Sequence, residues 1–419
     1  MPHTSLTAGF APIGPIGSKA PATTAPSATW PASRPADMAG ARTRIVVLSV
    51  SAGSGHLRAA QALCSAGDAL GTVDMVHLDA MQFVPGLFRK IYTDLYLKLV
   101  RSFPTVWSLL YKLTDHASAD TTSHRLRRLL ERACTARLRR RLDQLAPDAI
   151  ICTHFLPAEM LSRLSPRQGQ RPRGGIWVQV TDYDLHGMWV QPGVSGYFAA
   201  SQQLAWRLHQ SGVEASRIHV TGIPLMPAFS APPTRAQAAA RMGIDRNRPT
   251  VLLMGGGHGH GGLLRLATDM LELEEKPTLL VVAGNNAGLQ ASLQELARQH
   301  PAQLRVFGYT REIEVLMSCA DMVVTKPGGL TTAECMALGL PMIVVDSIPG
   351  QEERNADYLL ENGAALKAGD ASSVVYRVRQ LLSDPARLQA MRHAARSLGQ
   401  PDAGREAMRT VLAALPPCG

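Results

Sequence analysis

The chain has 419 residues, of which 46% are hydrophobic and 18% are charged, and this ordinary globular composition excludes wholesale disorder. Its formal net charge of +10 favours phosphate-bearing partners but does not choose among nucleic acid, anionic lipid and nucleotides. The six cysteines lack CxxC spacing, which excludes a typical zinc cluster and favours a reducing cytoplasm. No apolar stretch reaches the roughly 20 residues that a membrane span needs, so we expect any membrane contact to be peripheral.

The chain order of the predicted elements indicates two domains. Residues 1–41 are rich in Ala, Pro, Thr and Ser, and we predict a disordered tail there. From Arg44 onward, short apolar runs alternate with helical stretches, and a second such series follows the proline-rich residues 224–233. This alternation predicts an α/β fold of two Rossmann-like domains, residues 42–225 and 226–400. Residues 401–419 are predicted to form a helix and tail that pack back on the first domain.

Two loops of the first domain carry candidate chemistry, because ligands bind beyond the carboxyl ends of parallel strands. His56 follows a glycine turn at the start of a helix, where the helix N-terminus disfavours imidazolium and leaves a proton-accepting imidazole. Asp182, Asp184 and His186 follow a later strand, and a carboxylate beside an imidazole raises its basicity. The alternative for His56 is a surface histidine on a turn. The alternative for Asp182 is a structural turn cap.

The first strand of the second domain ends in the glycine-rich sequence MGGGHGHGG. Its backbone N–H groups and the helix that follows suit a diphosphate, and the run contains Gly255, Gly256, Gly257 and His258. The Lys and Ser/Thr of a P-loop are absent after its last glycine. A flexible turn with solvated histidines is the alternative interpretation.

The sequence VVTKPGGLTTAECMALGLPMIVVDSIPGQEER is the most informative segment. Lys326 and the turn Pro327, Gly328 and Gly329 open a second anion-accepting helix N-terminus, which carries Thr331 in its first turn. Glu334 lies one turn in, where it is placed to accept hydrogen bonds from a ribose diol. Gln351 and Glu352 follow the next strand and suit sugar hydroxyls.

Residues 83–113 are dense in aromatic, leucine and basic residues, as an interfacial membrane element requires. The residues chosen as membrane contacts are Phe83, Phe88, Tyr92 and Trp107. A core helix is the alternative for this segment. An arginine-rich stretch follows it, but no nucleic-acid recognition motif accompanies that stretch, so we expect no nucleic-acid partner.

Taken together, these motifs resemble the MurG-like glycosyltransferases, and within them the diacylglycerol glycosyltransferases. The residues that carry the resemblance are 51–56, 181–189, 254–262, 283–286, 308–334 and 349–363. The resemblance implies a GT-B fold with the acceptor on the first domain, a UDP-sugar on the second, and inverting catalysis with no metal. It also implies that Phe307, Gly308 and Tyr309 bind the base, Glu334 the ribose, and Gln351 with Glu352 the sugar. His56 and Asp182 remain alternative general bases.

The expected function is transfer of a hexose from a UDP-sugar to diacylglycerol or a related lipid, by an enzyme on the cytoplasmic face of an anionic membrane. A transferase with another acceptor, a UDP-sugar epimerase and a non-catalytic sensor are the alternatives. An epimerase would leave the 83–113 segment without a purpose. The residues do not distinguish the sugars.

Overall fold

The computed structural model describes residues 42–51, 53–84, 136–162, 172–255, 262–345 and 347–416. Within them the chain forms two parallel six-stranded sheets, each with its own helices. We call the first sheet and its helices the first lobe, and the second sheet and its helices the second lobe. The predicted tail, residues 1–41, lies outside the described residues.

The central strands of the first lobe are buried and largely apolar, whereas its two edge strands are only partly buried. Its strands are β1 (Thr43–Ser49), β2 (Val73–Asp79), β3 (Ala149–Cys152), β4 (Ile176–Gln179), β5 (Gly196–Ala199) and β6 (Ile218–Val220), and its helices are α1 (Ser54–Asp68), α2 (Phe155–Ser162) and α3 (Gln202–Gln210). The strand order is β2-β1-β3-β4-β5-β6. The direction in which successive strands are added to the sheet therefore reverses between β1 and β3, which are parallel. The loops after these two strands lie at this switch point, where ligands bind in such sheets.

The second lobe is also a doubly wound sheet of six parallel strands, but its strand order differs from that of the first. Its strands are β7 (Thr250–Met254), β8 (Thr278–Val282), β9 (Leu304–Phe307), β10 (Met322–Thr325), β11 (Met342–Val344) and β12 (Ala365–Lys367). Its helices are α4 (Arg235–Met242), α5 (Gly262–Leu271), α6 (Ala287–Gln299), α7 (Ile313–Cys319), α8 (Gly329–Leu338), α9 (Gln351–Glu361), α10 (Ala371–Ser383) and α11 (Pro385–Leu398). The order β12-β11-β10-β7-β8-β9 sets its switch point between β7 and β10.

The predicted doubly wound α/β architecture is confirmed. Apolar runs were sufficient to locate the central strands, because strands covered on both faces are hydrophobic throughout. The edge strand β12 was not predicted, since it has three residues and ends at the exposed Lys367. Its register with β11, rather than its composition, makes it a strand.

The last helix, α12 (Ala403–Ala413), belongs to the core of the first lobe. Ala407, Met408 and Val411 are fully buried and pack with Ile45 and Leu63. Helix α11, just before it, packs on α8 of the second lobe. The chain therefore returns to the lobe in which its described part begins.

The two passages of chain between the lobes lie side by side. The first follows β6 and the second joins α11 to α12. Gly222 has a φ of +91°, and a Cβ atom there would lie 2.4 Å from Cβ of Gln400. The Ser230 hydroxyl donates a hydrogen bond of 2.8 Å to the Pro401 carbonyl. Glycine at position 222 thus permits both the turn and the close approach of the two connections.

Candidate active site

His56 lies in the first turn of α1, where the loop after β1 ends. Its Nδ1 atom is 2.9 Å from the carbonyl oxygen of Thr153 and 3.0 Å from the hydroxyl of Thr181. Because a carbonyl oxygen only accepts, Nδ1 carries the ring proton and Nε2 has the lone pair. Burial lowers the pKa of His56 to about 4, against the opposing effect of the Thr153 hydrogen bond. The imidazole is therefore neutral at pH 7, with Nε2 available to accept a proton.

A second histidine, His154, adjoins the first and was not selected from the sequence. The two rings are 4.5 Å apart and nearly perpendicular, at 80°. Nδ1 of His154 accepts the Leu156 N–H at 3.0 Å, which assigns the ring proton to Nε2. Burial, with a smaller contribution from His56, lowers the pKa of His154 well below its usual value. The sequence signal that could have identified His154 is its position just after β3, the strand that pairs with β1.

Asp182 is buried at the interface between the lobes. Gln351 donates a hydrogen bond to its Oδ2 atom, and the Asn355 amide donates one of 3.3 Å to its Oδ1 atom. Burial raises its pKa to about 6, and these two hydrogen bonds oppose the rise while Glu352 and Asp184 add to it. The structure thus brings the predicted residues Asp182 and Gln351 together, and adds Asn355, which sequence reasoning missed.

The rest of the predicted Asp182–His186 cluster has other partners. Asp184 forms ion pairs with Arg207 of its own lobe at 2.8 Å and with Arg354 of α9 at 3.2 Å. Nδ1 of His186 accepts the Met188 N–H at 3.2 Å, which caps a short turn. Asp182 therefore accepts two interlobe hydrogen bonds, Asp184 belongs to an ion-pair network, and His186 caps a turn.

The N-terminus of α8 meets the first lobe directly. A Cβ atom on Gly329 would lie 1.9 Å from the Thr181 carbonyl oxygen and 3.3 Å from an Asp182 carboxylate oxygen. Gly328 caps the helix without a side chain, so the N–H groups of the first turn remain available for an anion. Only glycine permits this approach. The positive end of α8 is thereby held beside the His56 loop.

The remaining predicted residues of this segment line the same region of the second lobe. Pro327 is buried, and Lys326 and Thr331 are half-buried around the start of α8. Glu334 lies one turn further, and burial raises its pKa to about 7 while Arg58 of α1 opposes the rise. A cation on the first lobe thus influences a carboxylate on the second.

The other predicted donor residues lie on nearby strand ends or outside the described part. Phe307 ends β9, and Gly308 approaches Gln290 so closely that a Cβ atom would lie 2.7 Å from the Gln290 amide oxygen. Tyr309 is 62% exposed, as a platform for a flat ring would be. The Glu352 carboxylate accepts the Ile348 N–H at 2.8 Å. Gly255 follows β7, whereas Gly256, Gly257 and His258 lie outside the described residues.

The predicted membrane segment is described only at its start. Phe83 is half-buried and packs against the hydrophobic core of the first lobe. Phe88, Tyr92 and Trp107 lie outside the described residues. Among the helices that the structure describes, none has the length and hydrophobicity to cross a bilayer. The described residues also contain no group of three or more His, Cys, Asp or Glu arranged to hold a metal ion.

Comparison with known proteins agrees with this geometry. Residues 56–225 match the family described as monogalactosyldiacylglycerol (MGDG) synthase, and residues 242–398 match the glycosyl transferases group 1. A processive diacylglycerol beta-glucosyltransferase of Bacillus pumilus is 29% identical over 85% of this chain and 91% of its own length. The enzyme of the same name from Bacillus subtilis is 28% identical over 83% and 89%.

Solved structures agree on the fold. MurG of Acinetobacter baumannii superposes with a TM-score of 0.60 at 16% identity, covering 89% of this chain and all of that one. A UDP-GlcNAc 2-epimerase of Neisseria meningitidis gives 0.58 at 13% identity, covering 88% of this chain and all of its own. Transferases and epimerases thus share the architecture, and the fold alone does not separate them. The two family matches do, and they indicate a glycosyltransferase of GT-B fold whose residues 56–225 resemble the MGDG synthase family and whose residues 242–398 resemble the group 1 glycosyl transferases.

Proposed function

We propose that the protein transfers a hexose from a UDP-sugar to diacylglycerol or a related membrane lipid, with inversion at the anomeric carbon and without a metal ion. The diacylglycerol beta-glucosyltransferases that align over most of the chain support the lipid acceptor. The observation that carries the chemistry is the approach of Gly329 to Thr181, because it sets an anion-accepting helix N-terminus against the loop that holds His56.

The proposed reaction uses the two sides of this contact. Nε2 of His56 takes the proton of the acceptor hydroxyl as its oxygen bonds to the anomeric carbon, and the bond from that carbon to the diphosphate oxygen breaks. The negative charge that develops on UDP lies at the N-terminus of α8, where backbone N–H groups and the helix dipole stabilise it. His56 then returns the proton to solvent. Since base and anion site face each other, displacement from the opposite side inverts the configuration.

The donor would be held by the second lobe. Tyr309 stacks against the base, Glu334 accepts hydrogen bonds from the ribose, and Gln351 with Glu352 binds the sugar hydroxyls. We propose from its composition that the glycine-rich sequence between β7 and α5 provides a second set of N–H groups for the diphosphate. These two helix N-termini support the metal-independent part of the proposal, because they supply positive charge without an ion.

The test is transfer of labelled sugar into lipid. The purified full chain is incubated with UDP-glucose, UDP-galactose, UDP-GlcNAc or UDP-glucuronic acid, and with diacylglycerol in liposomes, with and without EDTA. We expect label in the lipid phase with one donor, and an unchanged rate in EDTA. Label that stays in water with every donor contradicts the lipid acceptor, and conversion of the UDP-sugar to its epimer would indicate the alternative activity.

The proposed location is the cytoplasmic face of the membrane, with contact through residues 83–113. The aromatic and basic residues of this segment support it. In liposome flotation, replacing Phe83, Phe88, Tyr92 and Trp107 with serine is expected to abolish binding to anionic vesicles. Trp206, which is 62% exposed on α3 and outside the segment, provides the control substitution Trp206→Ser. Unchanged flotation of the fourfold variant contradicts this surface.

A further inference from the structure

Asn355 of α9 is fully buried, and both polar atoms of its side chain are used by the opposite lobe. Its Oδ1 atom accepts the Tyr183 N–H at 2.8 Å, and its Nδ2 atom donates to Oδ1 of Asp182 at 3.3 Å. The orientation of the amide follows from its partners, because a backbone N–H only donates and a carboxylate only accepts. One side chain of the second lobe thus fixes two consecutive residues of the first lobe, Asp182 and Tyr183.

Asp182 depends on the second lobe for its hydrogen bonds. Across the part of the chain that the structure describes, the two donors to its carboxylate are Gln351 and Asn355, and both lie on α9. A buried carboxylate that loses its donors is strongly disfavoured in the ionised form. Both hydrogen bonds therefore require the arrangement of the two lobes seen here, in which Asp182 is buried.

We infer that Asn355 is a positioning residue for sugar transfer, which orients Asp182 and favours its ionised form where the docked second lobe buries it. The inference rests on the proposed transfer reaction and adds to it. Asp182 follows Thr181, whose hydroxyl contacts Nδ1 of His56 and whose carbonyl oxygen meets Gly329. Holding Asp182 and Tyr183 therefore holds the loop that contacts both the base and the anion-binding helix.

The charged groups around Asp182 come from both lobes. Glu352 of α9 and Asp184 of its own loop both raise its pKa, and Asp184 is itself paired with Arg207 and Arg354. The Tyr183 side chain faces Tyr358 of α9, with ring centroids 4.7 Å apart. Against the two carboxylates, the Asn355 and Gln351 amides are the groups that favour the ionised form of Asp182.

Two substitutions separate positioning from simple packing. Asn355→Asp keeps an acceptor for the Tyr183 N–H but sets a second carboxylate against Asp182, and Asn355→Ala removes both hydrogen bonds. Both are expected to raise the pKa of Asp182, the first by about one unit or more, because two carboxylates that share a site do not both ionise readily. Tyr358→Leu is the matched control, since it removes an interlobe contact on the same helix without touching Asp182.

The experiment measures the titration of Asp182 in the full chain labelled with 13C-aspartate, the signal being assigned by its loss in Asp182→Asn. The pH dependence of kcat and the donor KM are measured in parallel. We expect both Asn355 variants to move the Asp182 titration and the acid limb of kcat to higher pH, with donor KM unchanged and with Tyr358→Leu titrating like the wild type. If Asn355→Asp fails to fold, Asn355→Ala provides the comparison.

An Asp182 titration that is the same in the wild type and the folded Asn355 variants overturns the inference. That result does not depend on the acceptor, because the titration is measured without lipid. A wild type that transfers no sugar to diacylglycerol contradicts the proposed function instead, so the two failures are distinguishable.

Discussion

The ring of His154 stands at 80° to the ring of His56 with 4.5 Å between their centroids, and the hydrogen bonds of the two residues assign opposite tautomers. His56 has its lone pair on Nε2, whereas His154 has its proton there. The pair therefore offers one proton acceptor and one proton donor at the switch point of the first sheet. A hydroxyl that loses its proton requires the acceptor, which is Nε2 of His56.

Replacement of His56 tests its role as the base. His56→Ala is expected to lower kcat by about 10²–10⁴-fold, the usual contribution of a general base, with little change in donor KM. Steady-state kinetics with the UDP-sugar that labels lipid in the transfer assay measures both. His209→Gln, at the carboxyl end of α3, is the histidine control and should behave as the wild type. A His56→Ala enzyme with wild-type kcat would assign the proton transfer elsewhere.

The expected pH dependence of kcat follows from the titration of Asp182 and His56. The pKa of Asp182 is raised to about 6, so its carboxylate becomes neutral as pH falls through that value. The pKa of His56 is lowered to about 4, so the imidazole stays neutral until a lower pH. We expect an acid limb of kcat near pH 6 that Asp182→Asn removes, leaving the fall near pH 4.

Protein stability supplies an independent check on Asp182. Because its pKa in the folded state is above the usual value of 3.8, the protonated form stabilises the fold at low pH, and this contribution is lost as pH rises through about 6. In urea unfolding, the wild type should therefore lose stability relative to Asp182→Asn as the pH rises from 3.8 to about 6. A pH-independent difference would contradict the raised pKa.

Glu334 is expected to govern donor affinity. Above pH 7, where most of the Glu334 carboxyl is ionised, Glu334→Gln should weaken UDP binding by about 10-fold or more, since a hydrogen bond to a charged group contributes about 1.5–3 kcal/mol. Calorimetric titration with UDP measures the loss without turnover. Glu314→Gln is the control, because Glu314 affects Glu334 only through its charge and raises its pKa. Equal affinity of Glu334→Gln and the wild type would remove Glu334 from the donor site.

The contact between Gly329 and Thr181 predicts a steric effect on lobe closure. In Gly329→Ala the added methyl group would lie 1.9 Å from a backbone oxygen, so the lobes must separate slightly. A displacement of about 1 Å can reduce turnover by about 10²-fold, and we expect kcat to fall by that order while thermal stability is kept. Gly369→Ala, where a Cβ atom meets nothing within 4 Å, should have no effect on either quantity.

Sequence periodicity was sufficient for the central strands and for the residues that follow them. His56 and Asp182 were identifiable because each follows a buried run at a strand end, where parallel sheets collect their ligands. His154 occupies an equivalent place after β3, but its run was interpreted only as a strand. Asn355 carries no such signal, because a polar residue within a helical stretch usually faces solvent. Its burial results from the docking of one lobe on the other, which local sequence does not encode.

The return of α12 to the first lobe has a consequence for how the halves stay together. Since Met408 and its neighbours are buried under α1, the second lobe is tethered to the first at both of its ends, and the two tethers touch near Gly222 and Gln400. A protease cut at the exposed residues near Ala231 would leave the fragments associated through α12. Because the two connections are adjacent, we expect the lobes to move relative to each other by rotation about a hinge at Gly222 and Gln400.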